Sequence, residues 1–154
     1  MKLYDEVHPD KLRGGFYTEP HVVEFCLQQV KKLNEGWPER WLEPSAGDGA
    51  FIRGMREVLP AAARRRMRLQ AVELIGEEAA KCDAEARRAS IEADVTNESF
   101  FEWASRDARQ FDAVVGNPPY VRYQFVSESD RLLAERLVSE LGITLRGVSN
   151  LWIP

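Results

Sequence analysis

Four short apolar runs, each followed by residues with helical spacing, confine this 154-residue chain to very few folds. The runs are Trp41-Leu42, Leu69 to Leu74, Ser90 to Asp94 and Phe111 to Gly116, and each is short enough to be a buried strand. Before the first run, Val23, Cys26, Leu27, Val30 and Leu33 recur at helical spacing. Thr18 is the expected N-cap of that helix, Pro20 falls in its first turn, and Asn34-Glu35-Gly36 ends it. Between the runs, Phe51, Ile52, Met55, Val58 and Leu59 form an apolar stripe that Pro60 closes, and the Ala- and Glu-rich stretch from Gly76 to Arg88 favours a second helix. Phe100, Phe101 and Trp103 mark a short amphipathic helix. A last helix, from about Glu128 to Leu141, would carry Leu133, Leu137 and Leu141 on one face. Strands alternating with helices predict an α/β fold with right-handed crossovers: a Rossmann-like, doubly wound, mostly parallel sheet. In such sheets ligands sit at the carboxyl ends of the strands, where the informative motifs of this chain also fall.

Composition narrows the class. Apolar residues make up 44% of the chain and charged residues 30%, which fits a folded domain and not a disordered segment. No apolar run approaches the roughly 18 residues of a membrane span, and the segment beginning Met1-Lys2-Leu3 has no signal-peptide core. Cys26 and Cys82 belong to no metal-ligand spacing and are expected to be unpaired thiols of a cytoplasmic protein. The formal charge of −4 argues against a domain that binds nucleic acid by coating phosphates, but not against an enzyme that takes its grip on DNA from another segment.

The first strand runs into Glu43-Pro44-Ser45-Ala46-Gly47-Asp48-Gly49. Gly47 and Gly49 let a ligand approach the backbone, but Ile52 stands where a dinucleotide fingerprint wants its third glycine. Glu43 and Asp48 flank the turn and would repel a pyrophosphate, whereas a sulfonium and an α-amino group would be attracted. That pattern favours S-adenosylmethionine over NAD; alternatively, Asp48 simply caps the next helix. Glu73, at the end of the second strand, suits ribose hydroxyls. Asp94, read as the end of the third, suits the adenine amino group of the cofactor or else a helix cap.

Asn117-Pro118-Pro119-Tyr120 is the most specific motif. Its prolines fix φ and lack N–H donors, so the segment is extended and its carbonyls are not claimed by a helix. The Asn117 side-chain oxygen and the Pro118 carbonyl can then accept both N–H bonds of one planar –NH2 group. An adenine amino nitrogen is a poor nucleophile because its lone pair is delocalised into the ring. Two acceptors favour a more tetrahedral nitrogen and stabilise the positive charge that develops during attack on a methyl group. Tyr120 offers a face for a base extruded from the duplex.

Taken with Gly15 to Pro20, these segments resemble, from about Arg13 onward, the gamma-class DNA adenine amino-methyltransferases of restriction-modification systems, the Eco57I-like and fused restriction-methylation enzymes included. The resemblance implies that Tyr17, Thr18 and Pro20 contact the methionine part of the cofactor, although Glu19 intervenes where the family has Thr-Pro. It implies that Glu43, Ala46 and Gly47 line the methionine and ribose pocket, with Asp48 and Gly49 completing the turn. Glu73 would bind the ribose, with Leu74 against the adenine that Asp94 and Val95 hold. Asn117, Pro118, Pro119 and Tyr120 would engage the target base in double-stranded DNA, Asn117 also facing the cofactor. It further implies residues 1–17 as an arm and 18–154 as a partial catalytic domain, truncated after about four strands. The fourth strand would then be an exposed edge able to pair with a second copy. Transfer to a glutamine amide, to RNA or to cytosine, and a non-catalytic cofactor-binding fragment, remain alternatives at this point.

Overall fold

The computed structural model describes residues 18–119 and 126–142. Contacts group the chain into one unit of residues 17–117 and a second of residues 1–16 and 118–154. The first unit is built on a four-stranded sheet, β1 (Arg40–Glu43), β2 (Arg68–Glu73), β3 (Glu92–Asn97) and β4 (Ala113–Val114), in the order β3-β2-β1-β4 with every pair parallel. The α/β doubly wound expectation is therefore met.

Successive strand residues face opposite sides of the sheet, and the sequence fills the two sides differently. On one side Trp41, Leu69, Ala71, Ala113 and Val115 pack with Val23 and Leu27 of α1 (Pro20–Leu33), Phe51, Ile52 and Met55 of α2 (Ala50–Val58), and Cys82, Ala86 and Ala89 of α4 (Gly76–Ala89). On the other side Leu42 and Val72 meet Trp103 of α5 (Phe100–Ala104), with Phe100 and Phe111 against them. Trp41 and Trp103 are packing residues, and Cys26 and Cys82 are free thiols.

Several local expectations are corrected. The N-cap of α1 is Glu19, not Thr18. Proline excludes the residue before it from helical geometry, and Glu19 is accordingly extended (φ −61°, ψ 141°). Leu33 ends the α1 stripe but is 81% exposed. A one-turn helix, α3 (Ala61–Arg64), follows Pro60 and is too short to show a periodicity; Arg64 Nη1 donates to the carbonyls of Arg56 and Leu59 and so caps the end of α2. The largest correction concerns β3, which ends at Asn97 and not at Asp94. Ser90 is the left-handed C-cap of α4 (φ 53°), which delays the strand.

In the second unit, α6 (Glu128–Glu140) begins at Ser127, whose hydroxyl accepts the Asp130 N–H at 3.1 Å. Ala134 is its buried residue; Leu133 and Leu137 are half-buried, and Leu141 is 76% exposed and lies off the expected face.

Candidate functional site

The carboxyl edge of β1 and β2 is held together by one carboxylate. Glu73 Oε2 accepts the Gly47 N–H at 2.8 Å and Oε1 accepts the Ile75 N–H at 2.8 Å, joining the turn after β1 to the start of α4. Ala46 N–H donates to the Val72 carbonyl at 3.0 Å, a second tie between the same segments. Gly47 (φ +53°) and Gly49 (φ +84°) both take left-handed conformations. A Cβ on Gly49 would stand 3.2 Å from the Cys82 Cα, so glycine there also permits α2 to approach α4. Among the described residues a Cβ on Gly47 would meet nothing within 4 Å, so there the turn leaves open space at the position where its backbone could face a ligand.

Glu43 is the unusual residue of this edge. It is 1% exposed, and its Oε2 has no hydrogen-bond partner among the described residues. Burial, reinforced by the charges of Glu73 and Asp48, pushes its carboxyl well above the usual carboxylate range, with Arg53 offsetting part of the effect. The Ser45 hydroxyl is likewise buried without a partner among the described residues. Buried polar atoms are rarely left so in folded proteins, and two on one edge point to a ligand.

One of the two sequence expectations for Asp48, the helix cap, is overturned. Gly49 is the N-cap of α2, so Asp48 does not cap the helix. Its carboxylate is taken by Arg53 Nη2, at 2.9 Å to each oxygen, while Arg53 Nη1 donates to the Asp48 carbonyl. Arg53 was missed from sequence; its signal was a guanidinium one turn into the helix that follows the acidic turn. The cation-attracting character of the edge therefore rests on Glu43 and Glu73.

The segment after β4 reaches the same edge. Val115 N–H donates to the Leu42 carbonyl at 3.0 Å, and a Cβ on Gly116 would lie 3.5 Å from Pro44 Cδ and 3.8 Å from Ser45 Oγ. Asn117, half-buried, follows directly. The first unit thus brings the glycine turn, Glu43, Glu73 and Asn117 to one end of the sheet. Thr18 is half-buried and Pro20 exposed, both at the start of α1; Pro118 and Pro119 are half-buried and belong to the second unit; Tyr17 and Tyr120 lie outside the described residues.

The third strand departs from expectation. Asp94 pairs in register with Gln70, and Asn97 pairs with Glu73. Asp94 is therefore three residues short of the edge, and its carboxylate lies 4.0 Å from Arg109 Nη2. It neither ends β3 nor caps α5, whose N-cap is Ser99. Val95 packs against the core, and Leu74, just past Glu73, is 67% exposed.

Comparisons with known proteins identify the family and the fold. Residues 57–142 match the family model described as Eco57I restriction-modification methylase. The modification methylase CviBIII of Paramecium bursaria Chlorella virus NC1A is 31% identical over 141 residues, covering 92% of this chain and 32% of that protein. Among solved structures, the type I restriction-modification system methyltransferase subunit from Streptococcus thermophilus superposes with a TM-score of 0.58 at 16% identity, over 68% of this chain and 23% of that one. The O-methyltransferase from Bacillus cereus in complex with S-adenosylhomocysteine superposes with a TM-score of 0.52 at 14% identity, over 85% of this chain and 55% of that one. These two structures share the fold. The chain spans 18% to 32% of the length of the sequence relatives it matches.

Proposed function

Because the chain belongs to the Eco57I restriction-modification methylase family, we propose that it forms the cofactor-binding part of an enzyme that methylates the exocyclic amino group of a flipped adenine in double-stranded DNA. The observation that carries this reading is the meeting, at one end of the sheet, of a buried unpartnered carboxyl, an open glycine turn and the Asn117 segment.

The residues present fit S-adenosylmethionine. A buried Glu43 oxygen without a partner, beside a turn left open by Gly47, suits a ligand with cationic groups and would repel a pyrophosphate. Glu43, Ala46 and Gly47 line the methionine and ribose part, and Thr18 and Pro20 at the start of α1 are assigned to the methionine group, as is Tyr17 by the family resemblance. Glu73 receives the ribose hydroxyls. Each of its oxygens already accepts one backbone N–H and keeps a lone pair for a hydroxyl, so the ribose joins an existing tie instead of breaking it. Leu74 supplies apolar surface beside it. The solved B. cereus relative holds the demethylated form of the same cofactor, which supports the assignment.

When bound, the cofactor supplies an electrophilic methyl group. This chain's residues would do the rest by position and charge. Asn117 Oδ1 and the Pro118 carbonyl accept the two N–H bonds of the target amine, orient its lone pair and offset the charge that develops on it. Pro118 and Pro119 keep that segment extended, and Tyr120 stacks on the base. We place the enzyme in the cytoplasm, where thiols such as those of Cys26 and Cys82 stay reduced.

A labelled-methyl transfer assay on unmethylated duplex DNA tests this reading. Label is expected in N6-methyladenine, with Asn117→Ala lowering the rate at least about 100-fold, as for loss of one preorganised charge-stabilising group. Label in RNA, in protein amide or in cytosine would overturn the substrate assignment, and binding of NAD with no binding of S-adenosylmethionine would overturn the cofactor. Cofactor binding with no transfer to any acceptor would leave the chain a non-catalytic binding module.

A further inference from the structure

We infer that Arg53 is a positioning residue of the carboxyl edge: it occupies Asp48, so that Glu43 is the carboxyl left to meet a cationic group of the ligand; this rests on the cofactor reading above. Glu43, Asp48 and Glu73 gather at that edge, and the fold occupies them unequally. Glu73 accepts one backbone N–H on each oxygen, from Gly47 and from Ile75. Both Asp48 oxygens are held by Arg53 Nη2 at 2.9 Å. Of the three, Glu43 alone keeps a buried oxygen with no partner among the described residues.

Arg53 stands where a cation is least welcome. α2 begins at Ala50, with Gly49 as its N-cap, so Arg53 closes the first turn. That end of a helix carries a partial positive charge, and α2 has no acidic residue in its first turn to offset a guanidinium. Helical side chains lean toward the N-terminus, and one as long as arginine reaches back past Gly49 to the turn. There Nη1 donates to the Asp48 carbonyl at 2.9 Å while Nη2 spans the carboxylate. A guanidinium can meet all three oxygens with its planar fork of donors, whereas a lysine is a point charge. Asp48 lies between two left-handed glycines, and among the described residues Arg53 is the one side chain hydrogen-bonded to it. Without Arg53 the Asp48 carboxylate would be a second free anion in the turn.

The clamp also acts on Glu43. Among the described residues the charged and titratable groups that face Glu43 are Glu73 at the end of β2, Asp48 in the turn, Arg53 of α2 and Cys82 of α4. Burial raises the Glu43 carboxyl most, Glu73 and Asp48 raise it further, and Arg53 lowers it. The Cys82 thiol is itself pushed up by burial and by these carboxyls, and stays neutral. A cation in the site favours ionised Glu43, so affinity should rise with pH as Glu43 ionises. Arg53 brings that rise to lower pH, by its own charge and by cancelling that of Asp48.

The test is calorimetric titration of the full chain with S-adenosylmethionine from about pH 5 to about pH 9, reading the pH of half-maximal affinity. The rise should be absent in Glu43→Gln. In Arg53→Met, checked for folding by its thermal midpoint, the half-maximal pH should move up. In Asp48→Asn it should move down, because the guanidinium then faces Glu43 uncompensated. In the double variant it should return to the parent's value or below, since Asp48 acts on Glu43 more strongly than Arg53 does. A purely structural clamp would weaken binding equally at every pH and leave the half-maximal pH where it was. An unmoved value in Arg53→Met, no return in the double variant, or a rise that survives Glu43→Gln overturns the inference. If Arg53→Met does not fold, Asp48→Asn decides, and an unmoved or raised value there is equally fatal. Failure of the unsubstituted chain to bind at any pH would overturn the cofactor reading as well, whereas binding with an unmoved half-maximal pH would overturn only the role of Arg53.

Discussion

The two ends of the same sheet are both rich in charge, and they use it in opposite ways. At the amino end Arg40 pairs with Asp112 at 2.6 Å, Arg68 with Glu92 at 2.9 Å and Arg109 with Asp107 at 2.7 Å. Every arginine there has a carboxylate partner, and the arginine side chains are 52% to 58% exposed. At the carboxyl end Glu43 and Glu73 are buried, and one Glu43 oxygen has no partner among the described residues. Exposed, paired charge costs a fold little and contributes little. A buried carboxyl oxygen without a partner costs far more, whether the group is neutral or charged, so it persists where a ligand can meet it. The contrast teaches that stability and binding are separable along the strands, and substitutions at the two ends should behave differently.

Glu73 should give the largest effect because it serves both purposes. In Glu73→Ala the ribose hydroxyls lose their acceptor, and the N–H groups of Gly47 and Ile75 lose theirs, so the turn after β1 loosens. Cofactor affinity measured by calorimetry should fall about 100-fold or more, equivalent to losing two hydrogen bonds to a charged group. The thermal midpoint should fall with it. A loss of only a few-fold would mean that the carboxylate is a structural tie alone, and that the carboxyl end resembles the amino end.

Glu43→Gln sharpens the comparison because it should move binding and stability in opposite directions. Burial holds the Glu43 carboxyl neutral in the fold at pH values where it would ionise in the unfolded chain. The stability this contributes is fully present below the ordinary carboxylate pKa and is lost as pH rises through the raised pKa of the folded state. Glutamine carries no such dependence. At pH 8 the variant should therefore be more stable than the parent by at least about 1 kcal/mol, since each pKa unit of displacement is worth about 1.4 kcal/mol. At pH 4 the two should coincide. Affinity for S-adenosylmethionine should meanwhile fall about tenfold, because the carboxyl that can ionise against a cation is gone. Denaturant melts at the two pH values, with a titration at each, check both halves. Equal pH dependence in parent and variant would show that the Glu43 carboxyl is not held neutral by burial.

What the sequence made legible, and what it did not, follows the same physical division. The short apolar runs Trp41-Leu42 and Leu69 to Leu74 mark buried strands, and the glycine turn announces where β1 ends. These are local signals. The end of β3 is not local: Ser90 as a left-handed cap and the pairing of Asn97 with Glu73 decide it, and both depend on where α4 stops. Hence Asp94, the acidic residue that the spacing suggested, lies inside the strand. Arg53 was overlooked because a guanidinium on an amphipathic helix usually faces solvent; here it returns to Asp48 and removes one of the two charges on which the electrostatic reading was built. Thr18 lost the cap to Glu19 for a reason that was in the sequence, the constraint Pro20 places on its predecessor.

Gly49→Ala probes the backbone beneath the carboxyl end. At φ +84° alanine is strained, and its Cβ would meet the Cys82 Cα at 3.2 Å, so α2 and α4 must part slightly. Loss of roughly 1–3 kcal/mol of stability is expected in denaturant unfolding. Cofactor affinity should fall less than in Glu73→Ala, since the ligand-facing position is the open one at Gly47. An unchanged midpoint would show that the turn can relax and that glycine is not required there.

The amino end supplies the smallest expected effect and the sharpest control. The Arg40 guanidinium holds the Asp112 carboxyl below its usual range, so what this pair contributes is present above the ordinary carboxylate pKa and is lost as pH falls through the lowered one. Both groups are solvent-exposed, and salt screens them. Asp112→Asn should therefore leave cofactor affinity unchanged and shift the thermal midpoint barely beyond error at neutral pH, with the shift vanishing in about 1 M salt, where the screening length is about 3 Å. The backbone N–H of Arg40 also donates to Asp112 Oδ2 at 3.0 Å, a bond the asparagine oxygen can keep. A clear loss of cofactor affinity in this variant would be the most damaging result for the comparison. It would mean that charge at the amino end of β1 and β4 reaches the ligand through the strands, and that the two ends are not independent.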